Sequence, residues 1–352
     1  MASIFDSKIW NPQVFDRYRE TIPLIRTNAL LTSGAFKKRA DWPTMFPAQA
    51  GGNRITTPFT GRLDGEADNY NGVNDMTIDT IGTYQRDIIA IGRMKGWEEK
   101  DFTSSITGKD FMPEIAQQVN EWYDNENVGD VLAITNGIFS MPLDDGDTPP
   151  VPTINAPFVT SHTHDISGLS GDLSKFSETT IITAAQKACG MNMNVFSIAY
   201  MHSFIVANLT KIMQVEYMKF TDINGFTKDV PMATVNGKAV LMDDRLYNPT
   251  TGNYTSYILG VGAFDYADLP VQTPSSTSRD EITNGGISML HTRQRKVFAP
   301  NGISYTMESQ ATLSPTRSEL ALGENWEIVL NQDKSKTIDI KSIPISRIIS
   351  KG

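Results

Sequence analysis

Hydrophobic residues recur at helical spacing in the stretch that follows Asp110. The positions that share this spacing are Phe111, Ile115, Val119 and Trp122. Residues at i, i+4, i+8 and i+11 lie on one face of an α-helix, and Asp110 is a good N-cap. The pattern therefore predicts a long amphipathic helix that reaches about Phe139. Gly129 and Gly137 are expected to weaken its later turns, because glycine is a poor helix former.

An extended hairpin is predicted before this helix. Residues 54–60 and 84–97 each have the apolar and β-branched content of a strand. Between them, Gly61 to Thr80 is a polar stretch rich in Gly, Asn and Asp, and two strands joined in this way form a hairpin with a long tip. A polar connection of this length is unusual inside a compact domain. We therefore expect the tip to contact a neighbouring molecule.

Helices and strands alternate in the second half of the chain. Ser177 is predicted to cap a helix that ends at Gly190, where a left-handed residue is needed. A buried strand is predicted at Val195–Met201, and Ser203 is predicted to cap the next helix. Asn236 with Gly237 predicts a hairpin turn. Further strands are predicted at Tyr254–Val261, Lys296–Met307, Trp326–Leu330 and Thr337–Ile343, with the last two paired. The class is α+β, without internal repeats.

Composition narrows the function classes. The 352 residues carry 31 Lys and Arg against 40 Asp and Glu, a net charge of −9. This acidity argues against a chain whose main task is to grip nucleic acid phosphates. Residues 1–50 carry the opposite balance, with seven bases and four acids, and form either an arm that contacts a partner or a solvated terminal segment. The single cysteine, Cys189, excludes an intrachain disulfide. No transmembrane helix is expected, because no run of about 18 apolar residues exists.

One cluster of residues suggests metal chemistry. His162, His164 and Asp165 would place two imidazoles on one face of a strand beside a carboxylate. No third histidine or cysteine stands at a supporting spacing, so exposed histidines in a loop or strand are the favoured interpretation. We therefore predict no metal site here.

Other motifs for catalysis or cofactor binding are incomplete. Gly260 and Gly262 follow a predicted strand, but Asp265 stands where a dinucleotide fingerprint needs its third glycine. Cys189 is predicted to be a small core residue, and the paired Asp243 and Asp244 are typical of surfaces. No enzymatic activity and no cofactor are predicted.

Eight strings in a fixed order carry a resemblance to a known family. They are SKIWNPQVF (7–15), GGNRITTPF (51–59), GRMKGWEEKDF (92–102), AAQKACG (184–190), IAYMHS (198–203), KAVLMDDR (238–245), RQRKVFAPNGIS (293–304) and SPT (314–316). Together they resemble the tailed-phage major capsid proteins of the Hong Kong 97-type fold, especially the coat proteins of phages and prophages of Gram-positive bacteria. The resemblance extends over nearly the whole chain.

The resemblance implies an α+β architecture of four parts. Residues 1–50 would be the N-terminal arm, and residues 51–98 the extended hairpin that this family calls the E-loop. Residues 99–176 and 308–352 would form a discontinuous peripheral domain around the long helix, which the family calls the spine helix. Residues 177–307 would form the axial domain.

The resemblance also implies function and partners. Copies of the chain would assemble as pentamers and hexamers into the icosahedral head that encloses phage double-stranded DNA, without sequence-specific DNA binding and without a membrane. A separate scaffolding protein is expected, since the E-loop would begin near residue 51, and a portal is expected as well. Assembly would take place in the host bacterial cytoplasm, and the protein would reside in the virion head. No lysine stands between Gly61 and Thr80, so no cross-link through a tip lysine is predicted.

The hairpin tip supplies the predicted contact residues. Arg62, Asp64 and Glu66 are the candidates, because charged tip residues can pair across subunits, although exposed ion pairs are individually weak. Two alternative functions stay open at this point. One is an encapsulin-like shell of a bacterial nanocompartment, and the other is a metal-dependent hydrolase that uses His162, His164 and Asp165.

Overall fold

The structure is a computed structural model of the chain. It describes residues 30, 32–48, 53–60, 67–70, 82–100, 112–144, 146, 152–211, 216–221, 227–235, 237–283, 286–331 and 337–352. The α-helices fully within these ranges are α1 (Trp42–Ala48), α2 (Met112–Phe139), α3 (Ala156–His162), α4 (Glu178–Cys189), α5 (Ser203–Lys211) and α6 (Arg317–Leu320). Helix α2 has 28 residues, and its C-terminal half is part of the largest apolar cluster.

The strands are short apart from β4 and β14. They are β1 (Phe36–Lys38), β2 (Arg54–Thr60), β3 (Thr83–Ile89), β4 (Ile91–Lys100), β5 (Thr163–Asp165), β6 (Phe196–Met201), β7 (Glu216–Thr221), β8 (Thr227–Val235), β9 (Lys238–Met242), β10 (Tyr247–Asn248), β11 (Asn253–Gly260), β12 (Phe264–Leu269), β13 (Ser275–Asp280), β14 (Ile287–Pro300), β15 (Ile303–Tyr305), β16 (Trp326–Ile328) and β17 (Ile345–Ser350).

A five-stranded sheet is built around β14. Strand β4 pairs with one edge of β14 along ten residues. Strands β12 and β13 share the other edge, because β12 pairs with the C-terminal part of β14 and β13 with its N-terminal part. Strand β1 adds to β12 in parallel. Although β12 to β14 lie within the range predicted for the axial domain, they form one sheet with β4.

An eight-stranded sheet contains the second half of the fold. Its strand order is β5-β17-β11-β6-β9-β8-β7, and β10 pairs with the end of β11. Strands β8 and β9 form the hairpin predicted at Asn236 and Gly237, and Gly237 has a φ of 70°. That conformation costs glycine little, because glycine has no Cβ.

Three clusters of buried apolar residues hold these layers together. The largest surrounds the C-terminal half of α2 and reaches β11, β15 and β16. The second lies between helices α4 and α5 and the eight-stranded sheet. The third joins α1 and the base of the β2–β3 hairpin to β12 and β14. The hairpin and the N-terminal helix α1 are therefore packed against the five-stranded sheet at the hairpin's base.

The ends of several predicted elements are confirmed. Helix α2 ends at Phe139, as its periodicity predicts. Ser177 and Thr180 form a capping box at the start of α4, and Gly190 ends that helix with a φ of 57°. Strand β12, rather than a helix, follows Gly262, so the glycine pair is a turn and not a dinucleotide site.

Other predictions are wrong in ways that have physical causes. The single strand predicted at 84–97 is divided at Ala90, because β3 pairs with β2 whereas β4 pairs with β14. Trp326–Ile328 pairs with β15, and only one bridge, Leu330 to Thr337, joins it to the segment predicted as its partner. Helix α5 is capped by the His202 imidazole, whose Nδ1 accepts from the amide of Phe204, rather than by Ser203.

Candidate assembly surfaces

The β2–β3 hairpin projects from a firmly packed base. At the base, Ile55 and Ile88 are buried beside Trp42 of α1. Arg86 donates to Asp265 and to the carbonyl of Pro300, so the hairpin is also tied to the five-stranded sheet by a buried ion pair. These contacts fix the direction in which the hairpin leaves the subunit.

The strands of the hairpin are paired without interruption from Arg54 and Ile89 to Thr60 and Thr83. Residues 61–82 connect them, and within this connection the structure describes Ala67 to Tyr70, which are all exposed. The side chain of Tyr70 is 101% exposed, so an aromatic ring stands in solvent at the middle of the tip. The predicted contact residues Arg62, Asp64 and Glu66 lie outside the described residues.

A buried ionic junction joins the hairpin's continuation, β4, to helix α2. Arg93 donates from Nε and Nη2 to the Asp130 carboxylate at 3.0 and 2.9 Å. Arg317, at the start of α6, donates from Nε to the same carboxylate at 3.3 Å. Asp130 is 1% exposed, so one buried carboxylate holds two cations from distant parts of the chain. Charge-assisted bidentate pairs of this kind are the stronger hydrogen bonds in proteins.

A third arginine, Arg245, extends the junction to the eight-stranded sheet. Arg245 donates to the buried Asp243 from Nε at 2.9 Å and reaches Asn125 of α2 from Nη2 at 3.3 Å. The hydrogen bonds that Arg245 donates to the Asp243 carboxylate raise the pKa of the guanidinium above its usual range. Asp244, the second of the paired aspartates, is exposed, and its hydrogen bond from Ser203 lowers the pKa of its carboxyl group. Asp243 is thus a buried partner of Arg245, whereas only Asp244 lies on the surface as expected for the pair.

Gly129 makes room for this junction on the surface of α2. A Cβ built at Gly129 would lie 2.7 Å from Nη1 of Arg245 and 2.8 Å from Cζ of Arg317. About two turns later along the helix, a Cβ at Gly137 would collide with the carbonyl oxygen of Leu320 and would lie 2.5 Å from Nε1 of Trp326. The two glycines allow close approach to α2, which helical periodicity alone does not reveal.

A groove opens beside the junction. It has a volume of about 640 Å³ and lies between α2, the β10–β11 turn and α6. Its lining is formed by Gly129, Leu132, Ala133, Asn136, Arg245, Leu246, Tyr247, Asn248, Pro249, Thr255, Tyr257, Arg317, Ser318 and Ala321. The apolar side chains from α2 and β11 form one part of the wall, and the two arginines form another. The groove thus combines an apolar surface with cationic hydrogen-bond donors.

The histidine cluster is divided between two elements. His162 ends α3, is fully buried, and hydrogen-bonds the carbonyl of Ile345 through Nδ1 at 2.7 Å. Burial lowers the pKa of His162, and it also lowers the pKa of His164, in β5. The favoured interpretation, exposed histidines in a loop or strand, is wrong for His162, which is helical and fully buried. Within the described ranges, no group of three or more His, Cys, Asp or Glu residues is arranged to hold a metal ion.

The remaining sequence candidates are structural or lie partly outside the described residues. Cys189 is buried in the second apolar cluster, as predicted, and burial raises the pKa of its thiol to about 11. The segment from Asp144 to Pro150 carries three aspartates in the sequence. Of this segment the structure describes Asp144 and Gly146, and the amide of Gly146 donates to the Asp144 carboxylate. Among the described helices, none is long and apolar enough to cross a membrane.

Sequence reasoning missed the junction residues Arg93, Asp130 and Arg317. One signal was present in the sequence. On the helix predicted from the 3.6-residue period, Asp130 follows Val119 and Tyr123 on the buried side, where a polar residue needs a partner. Finding the partners from sequence alone was not possible, because they stand 37 and 187 residues away.

Comparison with known proteins gives one strong sequence relative and a shared fold. No family model matches the chain. The major capsid protein of Bacillus phage SPP1 is 25% identical over 345 residues, which cover 97% of each chain. Among solved structures, the capsid of Ralstonia phage GP4 aligns with a TM-score of 0.50 and 10% identity, and it covers 76% of this chain and 83% of that one. The resemblance to tailed-phage major capsid proteins is thus confirmed, and the chain has their Hong Kong 97-type fold.

Proposed function

We propose that the chain is the major capsid protein of a tailed phage, and that its copies assemble into the icosahedral head. The observation that carries this proposal is the similarity to a major capsid protein over 97% of both chains. The role is structural rather than catalytic, and the protein resides in the virion head.

The proposed assembly uses pentamers and hexamers. In it, the β2–β3 hairpin is the E-loop, which reaches over a neighbouring copy, and α2 is the spine helix of the peripheral domain. We retain the division into an arm (1–50), an E-loop (51–98), a peripheral domain (99–176 and 308–352) and an axial domain (177–307). Each copy makes several modest contacts at once, and together these make a stable shell through avidity.

The proposed partners follow from the same role. A separate scaffolding protein would guide assembly in the host cytoplasm, a portal would occupy one vertex, and double-stranded DNA would fill the shell. The net charge of −9 suits a container, because an acidic wall repels phosphates and does not impede packing of the DNA. No lysine is present from Gly61 to Thr80, so we expect no covalent cross-link through the hairpin tip.

Sedimentation velocity on the purified chain, with negative-stain electron microscopy of each peak, tests the proposal. Rings, tubes or closed shells are expected, either from the chain alone or when it is co-expressed with its neighbouring genes. Shells of the correct size from the chain alone would contradict the need for a separate scaffold. A chain that stays monomeric in both preparations would overturn the proposed function.

A further inference from the structure

The groove between α2, the β10–β11 turn and α6 presents one sign of charge to an occupant. The described residues that line it include two arginines, Arg245 and Arg317, and no aspartate or glutamate. The carboxylates that bind these arginines, those of Asp130, Asp243 and Glu126, lie outside the lining. Charge complementarity therefore favours an anionic occupant.

The two guanidinium groups are neighbours on the surface of α2. A Cβ built at Gly129 would lie 2.7 Å from Nη1 of Arg245 and 2.8 Å from Cζ of Arg317, so both head groups surround the same point. Two cations this close repel each other. One carboxylate that accepts hydrogen bonds from both arginines would offset this repulsion.

Both arginines retain donors for such an anion. Nη1 of Arg317 has no hydrogen-bond partner among the described residues, although Nε and Nη2 of the same side chain are bound to Asp130 and Glu126. Nη1 of Arg245 makes only a 3.4 Å contact with the carbonyl of Asn125. The two side chains are 41% and 39% exposed. They can therefore donate to an incoming carboxylate without losing their present partners.

The groove also has an apolar wall of limited extent. Leu246 and Tyr257 form part of this wall, and Tyr247 stands at the edge with 41% of its surface exposed. A ligand that fills the groove therefore needs an apolar body beside its negative charge. A volume of about 640 Å³ admits a few residues of an extended peptide. A contact of this size is typical of a transient partner, because permanent interfaces bury much more area.

We propose that the groove binds an extended peptide segment of a second protein. A carboxylate of the segment is held between Arg245 and Arg317, and a large apolar side chain of the segment lies against Leu246 and Tyr257. The inference goes beyond the proposed function, because the unassembled subunit already contains the whole groove.

Two synthetic peptides test this chemistry on the unassembled subunit. The first is acetyl-Gly-Phe-Glu-Gly-amide, and the second is acetyl-Gly-Phe-Gln-Gly-amide, which has the same shape without the charge. Ligand-observed NMR titrations give the two dissociation constants. We expect the glutamate peptide to bind about tenfold more tightly, which corresponds to about 1.4 kcal/mol. Equal affinities, or no binding of either peptide to the folded subunit, would overturn the assignment.

A bulky substitution locates the bound peptide. Ser318→Trp places a large side chain in the groove from an exposed lining position, so it should abolish binding of the glutamate peptide. The matched control is Ser170→Trp, the same substitution at an exposed serine outside the lining, and it should leave the dissociation constant unchanged. Equal effects of the two substitutions would contradict the location.

A substitution of nearly constant volume tests the role of charge. Asn136→Asp adds a carboxylate to the lining at an exposed position of α2. It should weaken binding of the glutamate peptide about threefold, because like charges repel, and leave binding of the glutamine peptide unchanged. Equal weakening of both peptides would contradict the binding of an anion by the two arginines.

A photocrosslink identifies the source of the segment. The crosslinking amino acid p-benzoylphenylalanine replaces Ser318, or Ser170 as the control, in cells that co-express the neighbouring genes. Irradiation should link the position of Ser318, and not that of Ser170, to a different protein through a segment with an acid beside a large apolar residue. A link to a second copy of this chain, or no link, would overturn the assignment to a second protein. Neither result depends on shell formation, so failure of the proposed function stays distinguishable.

Discussion

The two halves of the long helix α2 are held in the fold by different forces. From Val119 to Asp130, buried polar side chains bond to the five-stranded sheet: Tyr123 meets the Thr292 hydroxyl at 2.8 Å, and Gln294 donates to Asn127 at 2.9 Å. From Val131 to Phe139, most of the buried side chains are apolar and belong to the largest core cluster.

The difference shows how one helix can serve two functions. Hydrogen bonds and ion pairs are directional, so the polar half fixes the register between α2, β4 and β14. Apolar packing is not directional and supplies most of the stabilisation through burial. The polar half also bonds to β4, which continues directly from the β2–β3 hairpin. It therefore holds the hairpin, the proposed intersubunit contact, in a fixed position relative to the body of the subunit.

The largest expected loss of unfolding free energy comes from removing the Asp130 carboxylate, which binds two arginines at the polar half of α2. Asp130→Ala would leave Arg93 and Arg317 without their shared buried partner. Breaking one side of a buried ion pair typically destabilises by about 4 kcal/mol. Chemical unfolding of the unassembled subunit measures this loss. Gln118→Ala, at an exposed position on the same helix, is the control. A loss of unfolding free energy as small as that of the control would mean that the junction contributes little to stability.

A somewhat smaller effect is expected from closing the space at Gly137. In Gly137→Ala, the new methyl group would collide with the backbone oxygen of Leu320 and would disturb the hydrogen bond from Trp326 Nε1 to that oxygen. Overpacking of this kind costs about 3 kcal/mol. The matched variant is Gly129→Ala, where the new methyl group meets the ends of two arginine side chains that can move. Equal losses of unfolding free energy in both variants would contradict the distinction between backbone and side-chain contacts.

A truncation in the apolar half should have a smaller effect of a different kind. Ile138 is fully buried, and Ile138→Val removes one methyl group at a cost of about 1 kcal/mol. We expect this loss to be the same at low and at high salt, because no charge is involved. The loss from Asp130→Asn should depend on salt through Arg317, whose side chain is 41% exposed, because ionic strength screens exposed charges more than buried ones. The unfolding free energy of both variants is measured at two salt concentrations. An equal salt dependence of the two losses would contradict the distinction between a polar and an apolar half of α2.

The smallest expected effect concerns pH, and it acts beside the apolar half. Phe139 stacks on Phe158 at 5.9 Å, and Phe158 in turn contacts His162. Burial holds the pKa of His162 below its usual value of 6.5, so just below pH 6.5 the unfolded chain binds a proton that the folded chain does not. Stability therefore falls as the pH drops through 6.5 and stops falling below the folded-state pKa. His164, whose pKa is also lowered, acts in the same direction.

The measurement is the unfolding free energy of the unassembled subunit from pH 7.5 to pH 5. His162→Gln should flatten the decline relative to the wild-type chain, because it removes the group that takes up the proton. His291→Gln, which alters a histidine bonded to Ser278 in the five-stranded sheet, is the matched control. A decline that is identical in His162→Gln and in the wild-type chain would contradict the assignment.

Local elements of the fold could be predicted from the sequence, because their signals are local. The period of apolar residues predicted the end of α2 at Phe139, and the Asn236-Gly237 pair predicted the β8–β9 hairpin. Strand partners far apart in sequence could not be predicted. Strand β4 pairs with β14, about 190 residues later, and β16 pairs with β15 instead of the segment that follows it. Which strands pair depends on tertiary packing, and a local sequence pattern does not indicate that packing.

The candidate site shows the same limit. The projecting hairpin was predicted from two strands and a long polar connection, and its pairing is confirmed. The groove and its arginines were not predicted, because Arg245 and Arg317 stand 72 positions apart in the sequence and meet only over Gly129. Gly129, which was expected to weaken the helix, allows the side chains of both arginines to lie close to the helix backbone. Buried polar residues also look, in sequence, like a solvated helix face.

The central claim is that this fold builds a closed shell from copies of one chain. A cryo-electron microscopy reconstruction of particles from the chain and its neighbouring genes tests it most directly. The account predicts an icosahedral shell with pentamers at the vertices and hexamers between them, in which each β2–β3 hairpin lies over an adjacent copy. Particles in which every hairpin folds back on its own subunit, or a chain that never forms a closed shell, would contradict the account.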